Sequence, residues 1–144
     1  MTSVAGSGQV DTPVSAARPV AEAAATILVV DNDDALRMMF ERYLTAFGYR
    51  PLLARDGNEA LQIAGSTPDI RLIILDLVMP GICGRALAEQ LTAMLPDAAV
   101  IFCSGHPASA LVCLGIDIKG AHFMQKPCPP AELQQRLSQM LLAR

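Results

Sequence analysis

From residue 26 onward, short apolar runs alternate with longer stretches in which apolar and polar residues mix. The run Thr26–Val30 is rich in β-branched residues and carries no charge, which is typical of a central strand covered on both faces. Further runs of strand length follow it, separated by sequence signals for loops. Together they predict repeated β-α units on a parallel sheet, with strands at residues 26–30, 51–54, 71–75, 98–103 and 121–125.

The mixed stretches between the strands place apolar residues at helical spacing. In the first of them, Leu36, Phe40 and Leu44 repeat in this way, and Gly48 follows as a stop signal. We expect Asp34 to cap the amino terminus of this helix. The same pattern predicts five helices, at residues 34–47, 57–64, 85–95, 109–114 and 130–142.

The first 25 residues have a different composition, with Ala, Ser, Pro, Gly and Val and hardly a large side chain. So little apolar surface cannot offset the entropy lost when a backbone is ordered. A chain of 144 residues with 52% hydrophobic content can bury one core but is too short for two ordinary domains. The sequence therefore predicts a disordered tail or linker at residues 1–25 and one domain at residues 26–144.

Charge and cysteine content argue against several classes of partner. The formal net charge is −3, so there is no basic excess of the kind that binds nucleic acid or anionic lipid, and we expect neither. The longest apolar runs fall well short of the roughly 20 residues of a membrane-spanning helix. The 4 cysteines are scattered without a C-x-x-C pair, which argues against a metal-thiolate site. Because no secretory leader is visible, we expect a cytoplasmic protein without direct membrane contact.

Residues capable of chemistry follow four of the predicted strands. Asp31 comes after the first strand, Asp76 after the third, Ser104 after the fourth, and Lys126 just past the fifth. The carboxyl ends of parallel strands share one edge of a sheet, where functional sites form. Two carboxylates drawn together repel one another unless a divalent cation lies between them, and Mg²⁺ prefers such oxygen ligands. With a lysine and a hydroxyl for phosphoryl oxygens, the set predicts a phosphoryl-transfer site with a carboxylate nucleophile.

Four segments around these residues carry a resemblance to a known family. Ile-Leu-Val-Val-Asp at 27–31, Leu-Asp-Leu-Val-Met-Pro-Gly at 75–81 with Gly84, Cys-Ser-Gly at 103–105 and Gln-Lys-Pro at 125–127 resemble the signature blocks of response-regulator receiver domains. They occur in the family's order, and the resemblance extends from about residue 26 to 142. It implies a flavodoxin-like (βα)5 fold, a three-layer α/β sandwich around a parallel five-stranded sheet of order 2-1-3-4-5.

The resemblance also implies a function in two-component signalling. Asp76 would accept a phosphoryl group from a histidine kinase or a phosphotransfer protein, in a Mg²⁺-dependent reaction that shifts a conformational equilibrium. The chain would catalyse only this transfer to itself and a slow autodephosphorylation, so we do not expect an enzyme in the ordinary sense. The segments at 102–106 and 121–127 resemble receivers fused to the carboxyl end of hybrid sensor histidine kinases.

Each matching residue receives a role from the resemblance. Asp31 and Asp76 would bind the metal, together with the backbone carbonyl of Val78. Ser104 would be the switch hydroxyl, and Lys126 would pair with the phosphoryl group. The output surface would lie near the fourth helix, the fifth strand and the last helix. That surface is also the candidate interface of a homodimer, a question that the sequence leaves open.

Three further positions surround this set. Phe123 falls where the family carries an aromatic switch residue, although a Phe in a strand also serves as ordinary core packing. His106 lies two residues after Ser104, and Val78 lies two residues after Asp76. We expect both at the mouth of the pocket, where they would tune the access of hydrolytic water to the phosphorylated site.

One position departs from the family pattern. The family usually has two adjacent acidic residues after the first strand, and here the second is Asn32. An amide oxygen can still coordinate Mg²⁺, but the pocket has one negative charge fewer. We therefore expect weaker metal affinity than in a typical receiver. Asp33 is a candidate to compensate for the missing charge.

Two other functions fit parts of the sequence. The neutral Asn32 is compatible with a pseudo-receiver, an interaction module that keeps the fold without being phosphorylated. The segment at 31–33, Asp-Asn-Asp, also resembles the nucleophile motif of haloacid-dehalogenase-type phosphatases, with Asp31 as nucleophile. The phosphatase alternative leaves the sequence block around Asp76 unexplained.

Overall fold

The computed structural model describes residues 24–79, 81, 84–107 and 122–142. The strands in this part of the chain are β1 (Thr26–Val30), β2 (Arg50–Ala54), β3 (Ile70–Asp76), β4 (Ala99–Ser104) and β5 (His122–Gln125). The helices are α1 (Asp34–Ala46), α2 (Gly57–Ser66), α3 (Gly84–Met94) and α4 (Pro130–Leu142). The helix predicted at 109–114 and nearly all of the predicted tail lie outside the described residues, so α4 denotes the last predicted helix.

The strands form one parallel sheet in the order β2-β1-β3-β4-β5. β1 lies between β2 and β3, with Leu28 opposite both Leu52 and Ile73. All residues of β1 are buried, as its uninterrupted run without charge predicts. The predicted parallel sheet and its strand order are confirmed.

Helices cover both faces of this sheet. α1 and α4 pack on one face through a core that includes Phe40 and Leu133. α2 and α3 pack on the other face through a core that includes Ala60 and Leu87. Alternate residues of β1 belong to the two cores, because successive side chains of a strand point to opposite faces. The three-layer α/β sandwich that the resemblance implies is therefore the observed architecture.

The start of α1 differs from the sequence prediction. Asp33 is the N-cap residue, with extended backbone and a side chain that accepts a hydrogen bond from the N–H of Leu36 at 3.1 Å. The prediction of Asp34 as the cap was wrong, because Asp34 is already helical and its carboxylate contacts the guanidinium of Arg37. α2 begins in the same way, with Asp56 as its cap.

Two strands extend further than the sequence predicts, and their last residues are polar. β3 includes Asp76 and β4 includes Ser104. Asp76 lies opposite Cys103 in the β3–β4 ladder, so the sheet itself fixes its backbone. The other element ends agree with the prediction or differ from it by one or two residues, as is common where helices and strands fray. Among the described helices, none combines the length and the apolar character that crossing a bilayer requires.

Candidate functional site

Backbone hydrogen bonds hold four polar residues at the carboxyl edge of the sheet. The N–H of Asp31 donates to the carbonyl of Ala54 in β2 at 3.1 Å. The N–H of Lys126 donates to the carbonyl of Ser104 at 2.7 Å, which extends the β4–β5 ladder to the lysine. Asp76 ends β3. Asp76, Ser104 and Lys126 line one cavity, and Lys126 contacts Asp31, so the fold brings together all four residues that the sequence places after strands.

One ammonium group links the two carboxylates of this edge. Lys126 Nζ donates to Oδ2 of Asp31 at 2.8 Å and to Oδ2 of Asp76 at 3.3 Å. Asp31 is 1% exposed and Asp76 is 4% exposed, so both carboxylates lie largely out of bulk water. A charge that is held out of water needs a partner of opposite sign, and Lys126 supplies it to both.

Burial and the ion pairs set the protonation of these groups. Desolvation raises the pKa of Asp76. Two groups oppose this effect: the N–H of Val78, which donates to Oδ1 of Asp76 at 3.1 Å, and the positive charge of Lys126. Together they offset only part of the rise in pKa. Burial alone would lower the pKa of Lys126. The hydrogen bond to Asp31 and the negative charges of both carboxylates outweigh burial, so the pKa of Lys126 is raised. The lysine therefore stays protonated while Asp76 keeps its proton to a higher pH than an exposed Asp.

The hydroxyl of Ser104 contacts a neighbour in the loop that follows β4. Its Oγ accepts a hydrogen bond from the backbone N–H of His106 at 3.0 Å and lies 3.4 Å from Nδ1 of the imidazole. Ser104 is fully buried, whereas His106 is exposed. In this conformation Ser104, the predicted switch residue, is thus hydrogen-bonded to His106, which was predicted at the mouth of the pocket.

A cavity of about 390 Å³ opens at the same edge. Val78, which is 41% exposed, and His106 both lie along it. Asp76 and Lys126 line it as well, so a small anionic group that enters meets the carboxylate and the ammonium together. The residues around the cavity are Leu36, Asp76, Val78, Ser104, Gly105, His106, Lys126 and Pro127.

The two carboxylates fit the ligand preference of Mg²⁺, which binds oxygen and keeps several of its waters. Oδ1 of Asp31 accepts from the N–H of Asp33 at 2.9 Å, Oδ1 of Asp76 accepts from Val78, and both Oδ2 atoms accept from Lys126. Each carboxylate oxygen has a further lone pair for a cation. The described residues contain no group of three or more His, Cys, Asp or Glu side chains that could hold a metal, but one or two carboxylates suffice for Mg²⁺.

The remaining predicted positions lie around this centre. Asn32 is exposed in the loop between β1 and α1, and Oδ1 of Asp33 is engaged in capping α1. Phe123 is half-buried and packs against the core on the α2 and α3 face. Its carbonyl accepts a hydrogen bond from Arg136 of α4 at 2.8 Å. Phe123 is therefore tied to the sheet by its ring and to α4 by its backbone.

The sequence reasoning missed Arg37, whose Nη1 donates to the backbone carbonyl of Asp31 at 2.7 Å. A signal was available, because helical side chains point back toward the amino terminus and a long basic one near the start of α1 can reach the preceding loop. Of the cysteines, Cys103 and Cys128 are buried and not in a disulfide. Burial raises the pKa of the Cys128 thiol to about 11. Cys83 and Cys113 lie outside the described residues.

Known proteins that resemble this chain in sequence or in structure are response regulators or receiver domains. The response regulator MprA of Mycolicibacterium vanbaalenii is 34% identical over 116 residues, which are 80% of this chain and 49% of the relative. The receiver domain of the hybrid histidine kinase CckA has 37% identity and a TM-score of 0.69, over 81% of this chain and 99% of that one. A solved CheX–CheY–BeF3–Mg complex from Borrelia burgdorferi has 28% identity and a TM-score of 0.68, over 80% and 87%.

The extent of these matches fixes the family. This chain spans about half the length of the curated relatives that it matches. The family model for the response regulator receiver domain matches residues 27–138, which include the five described strands apart from Thr26, the carboxyl-edge residues and most of α4. The chain therefore belongs to the response regulator receiver domain family, the signalling modules of two-component systems.

Proposed function

We propose that this receiver accepts a phosphoryl group on Asp76, in a Mg²⁺-dependent reaction, from a phosphohistidine of a histidine kinase or phosphotransfer protein. The observation that carries the proposal is the contact of Lys126 Nζ with the buried carboxylates of both Asp31 and Asp76. An exposed ion pair needs no function, but two carboxylates held out of water around one cation are costly to maintain. Such a cost is typical of a site whose charges do chemistry.

The transfer needs little covalent chemistry from the protein. An oxygen of Asp76 forms a bond to phosphorus while the bond between phosphorus and the donor's histidine nitrogen breaks. Lys126 moves its hydrogen bond to a phosphoryl oxygen, and the hydroxyl of Ser104 donates a hydrogen bond to another. These groups act by orientation and by opposing the negative charge that gathers on phosphorus.

Mg²⁺, when bound, supplies further neutralisation of that charge. Asp31, Asp76 and the backbone carbonyl of Val78 would hold it, and Asn32 is a further candidate ligand through its side-chain amide. The two carboxylates support this assignment because they are buried and share one cation, Lys126. The neutral Asn32 leaves the pocket with less negative charge than a second aspartate would give.

We expect Asn32→Asp to bind Mg²⁺ several-fold more tightly than the wild type, because one added carboxylate raises the attraction for a divalent cation. Isothermal titration of MgCl2 into each protein measures the difference. Equal, ordinary affinities in both proteins would remove the idea that Asn32 weakens metal binding.

Phosphorylation would act on the conformation through Ser104 and Phe123. The Oγ of Ser104 accepts a hydrogen bond from the N–H of His106 in this structure, and we propose that the hydroxyl turns toward a phosphoryl oxygen when Asp76 is phosphorylated. Phe123 pairs with Phe102 in the β4–β5 ladder, and its carbonyl accepts a hydrogen bond from Arg136 of α4. A shift of β5 would therefore be passed to α4. The surface near β5 and α4 is accordingly the proposed output face and the candidate interface of a homodimer.

Val78 and His106 would control how water reaches the phosphorylated aspartate. Both are exposed residues along the cavity that leads to Asp76. Replacing each by alanine is expected to change the lifetime of the aspartyl phosphate, followed by the decay of phosphoprotein in intact-mass spectra. A lifetime that stays the same in both variants would refute this role.

The central test uses a small phosphoryl donor. The protein is incubated with acetyl phosphate and Mg²⁺, and its intact mass is measured. We expect a gain of one phosphoryl group in the wild type and none in Asp76→Asn. Asp69→Asn is the matched control, because it makes the same change at an exposed residue near the opposite edge of the sheet. EDTA should abolish the gain in the wild type and in Asp69→Asn.

The same experiment separates the alternatives. A wild type that gains no mass while keeping its fold would be a pseudo-receiver, which the neutral Asn32 alone favours. Turnover of a generic phosphate ester that survives Asp76→Asn but not Asp31→Asn would favour the phosphatase. The family match supports Asp76 over Asp31 as the acceptor.

We propose a folded domain over residues 26–144, preceded by a tail or linker, in the cytoplasm, and either free-standing or attached to a hybrid kinase. The likeness to the CckA receiver supports the latter arrangement. A relative from Bacillus subtilis is called a transcriptional regulatory protein, but the match covers only 47% of it. The absence of a nucleic-acid partner for this chain therefore stays a prediction.

A further inference from the structure

Arg37 connects the start of α1 to the residue that ends β1. Its Nη1 donates to the backbone carbonyl of Asp31 at 2.7 Å, and its Nη2 contacts the carboxylate of Asp34. The Arg37 side chain is 15% exposed, whereas Arg42, on the same helix, is exposed. The guanidinium thus spans the β1–α1 loop from one side, with one hydrogen bond at each end of it.

This contact completes the restraint of Asp31. The N–H of Asp31 donates to Ala54 in β2, its Oδ1 accepts from the N–H of Asp33, and its Oδ2 accepts from Lys126. If the carbonyl of Asp31 had no hydrogen-bond partner, the peptide plane between Asp31 and Asn32 could still rotate. The hydrogen bond from Arg37 fixes that plane, and with it the start of the loop that carries Asn32.

The charge of Arg37 and its hydrogen bond to the loop predict opposite effects on Mg²⁺ affinity when Arg37 is removed. A guanidinium beside a cation site repels Mg²⁺, so charge alone predicts that its removal tightens metal binding. A fixed loop, in contrast, lowers the entropy that the ligands lose when they close around the ion, so its release weakens binding. We expect the second effect to dominate, because the ion pair with Asp34 already offsets part of the Arg37 charge.

We infer that Arg37 is a positioning residue for the metal site: it holds the Asp31–Asn32 peptide so that Asp31 presents its carboxylate to the cation. The inference rests on the proposed function for the presence of Mg²⁺ at Asp31. Arg37 itself touches neither the cation nor the phosphoryl group. Its planar fork suits the task, because it donates to the carbonyl and the carboxylate at once.

The test compares Arg37→Gln with the wild type and with Arg42→Gln. The control makes the same change of charge and shape on the same helix, away from the β1–α1 loop. Isothermal titration of MgCl2, with no phosphoryl donor present, should give a dissociation constant about tenfold higher in Arg37→Gln and unchanged in Arg42→Gln. Arg37→Lys, which can restore one of the two hydrogen bonds, should fall between Arg37→Gln and the wild type.

A second measurement separates positioning from a general loss of structure. In phosphorylation by acetyl phosphate, Arg37→Gln should need about tenfold more Mg²⁺ for half the maximal rate, while the rate at saturating Mg²⁺ stays close to that of the wild type. Should Arg37→Gln fail to fold, Arg37→Lys keeps the positive charge and loses at least one of the two hydrogen bonds, so weaker Mg²⁺ binding by Arg37→Lys than by the wild type would report positioning and not charge.

The outcomes are distinct. Wild-type protein that binds no Mg²⁺ would overturn the proposed metal site and this inference with it. Wild-type binding combined with equal or tighter binding by Arg37→Gln would overturn the inference alone. The inference would also fail if Arg37→Gln lowered only the thermal midpoint in EDTA, since that result would give Arg37 a purely structural role.

Discussion

The two ends of the parallel sheet treat polar side chains differently. At the carboxyl end, Asp31, Asp76 and Ser104 are buried, whereas Thr26 is the buried polar residue that the described structure has at the amino end. In the amino-end turns that the structure describes, the charged residues, such as Asp69, are exposed. One end is therefore built as an ordinary protein surface, and the other keeps charge out of water.

This difference indicates that the carboxyl end of the sheet is the part of the fold where buried charge lowers stability. An exposed charge is stabilised by solvent, but a buried carboxylate depends on the few groups that touch it. At the carboxyl end, the shared group is Lys126, with its hydrogen bonds to both Asp31 and Asp76. Substitutions at this end should change stability in ways that depend on pH and Mg²⁺, and matched substitutions at the amino end should not.

The largest effect is expected for Lys126→Met, which removes the ammonium and keeps the length of the side chain. Two buried carboxylates are then left without their cation, and the free energy of unfolding should fall by about 3 kcal/mol at pH 7 in EDTA. Urea denaturation measures the change. Arg71→Met, at an exposed position near the amino end of β3, should change it by less than about 0.5 kcal/mol.

Two conditions sharpen this result. The loss in the free energy of unfolding of Lys126→Met should be smaller at lower pH, because protonated carboxyls need no cation. Addition of Mg²⁺ should restore part of the lost free energy of unfolding. A deficit that stays constant with both pH and Mg²⁺ would mean that Lys126 contributes by packing its methylene groups and not by its charge.

A smaller effect of opposite sign is expected for Asp76→Asn. Burial raises the pKa of Asp76, so the folded state binds its proton more tightly than the unfolded state does. The contribution of Asp76 to stability therefore falls as pH rises from the ordinary Asp pKa through the raised one. At pH 7 in EDTA, Asp76→Asn should be more stable than the wild type by about 1 kcal/mol.

The pH series tests the sign of this prediction. The advantage of Asp76→Asn should vanish at low pH, where the aspartate is protonated in both the folded and unfolded states. Asp69→Asn, the exposed counterpart, should follow the wild type throughout. An Asp76→Asn variant that is less stable than the wild type at pH 7 would show that the pairing with Lys126 outweighs desolvation.

The smallest effect compares two buried hydroxyl groups, one at each end of the sheet. Ser104→Ala removes the acceptor of the His106 N–H, but this N–H belongs to an exposed residue and can turn to water, so the loss should be about 0.5 kcal/mol. Thr26→Val at the amino end should cost a similar amount. The two variants should differ instead in signalling, with only Ser104→Ala altering the phosphorylation-induced shift of amide resonances in β4 and β5.

Much of the fold was predictable because its signals are local. Apolar runs of strand length and apolar residues at helical spacing placed the described strands and helices to within one or two residues. The position of Asp31, Asp76, Ser104 and Lys126 after successive strands predicted one shared edge, since the strands are parallel. The strand order came from the resemblance to receiver domains and not from periodicity.

What the sequence determined by itself is thus the set of elements and the edge at which the polar residues meet. Tertiary structure alone decided that Lys126 contacts both Asp31, 95 residues away, and Asp76, 50 residues away. It also decided that Asp33 and not Asp34 caps α1, and that Arg37 fixes the carbonyl of Asp31. The physical reason is range: periodicity follows from the geometry of one element, but these hydrogen bonds depend on distances of a few ångströms between separate elements.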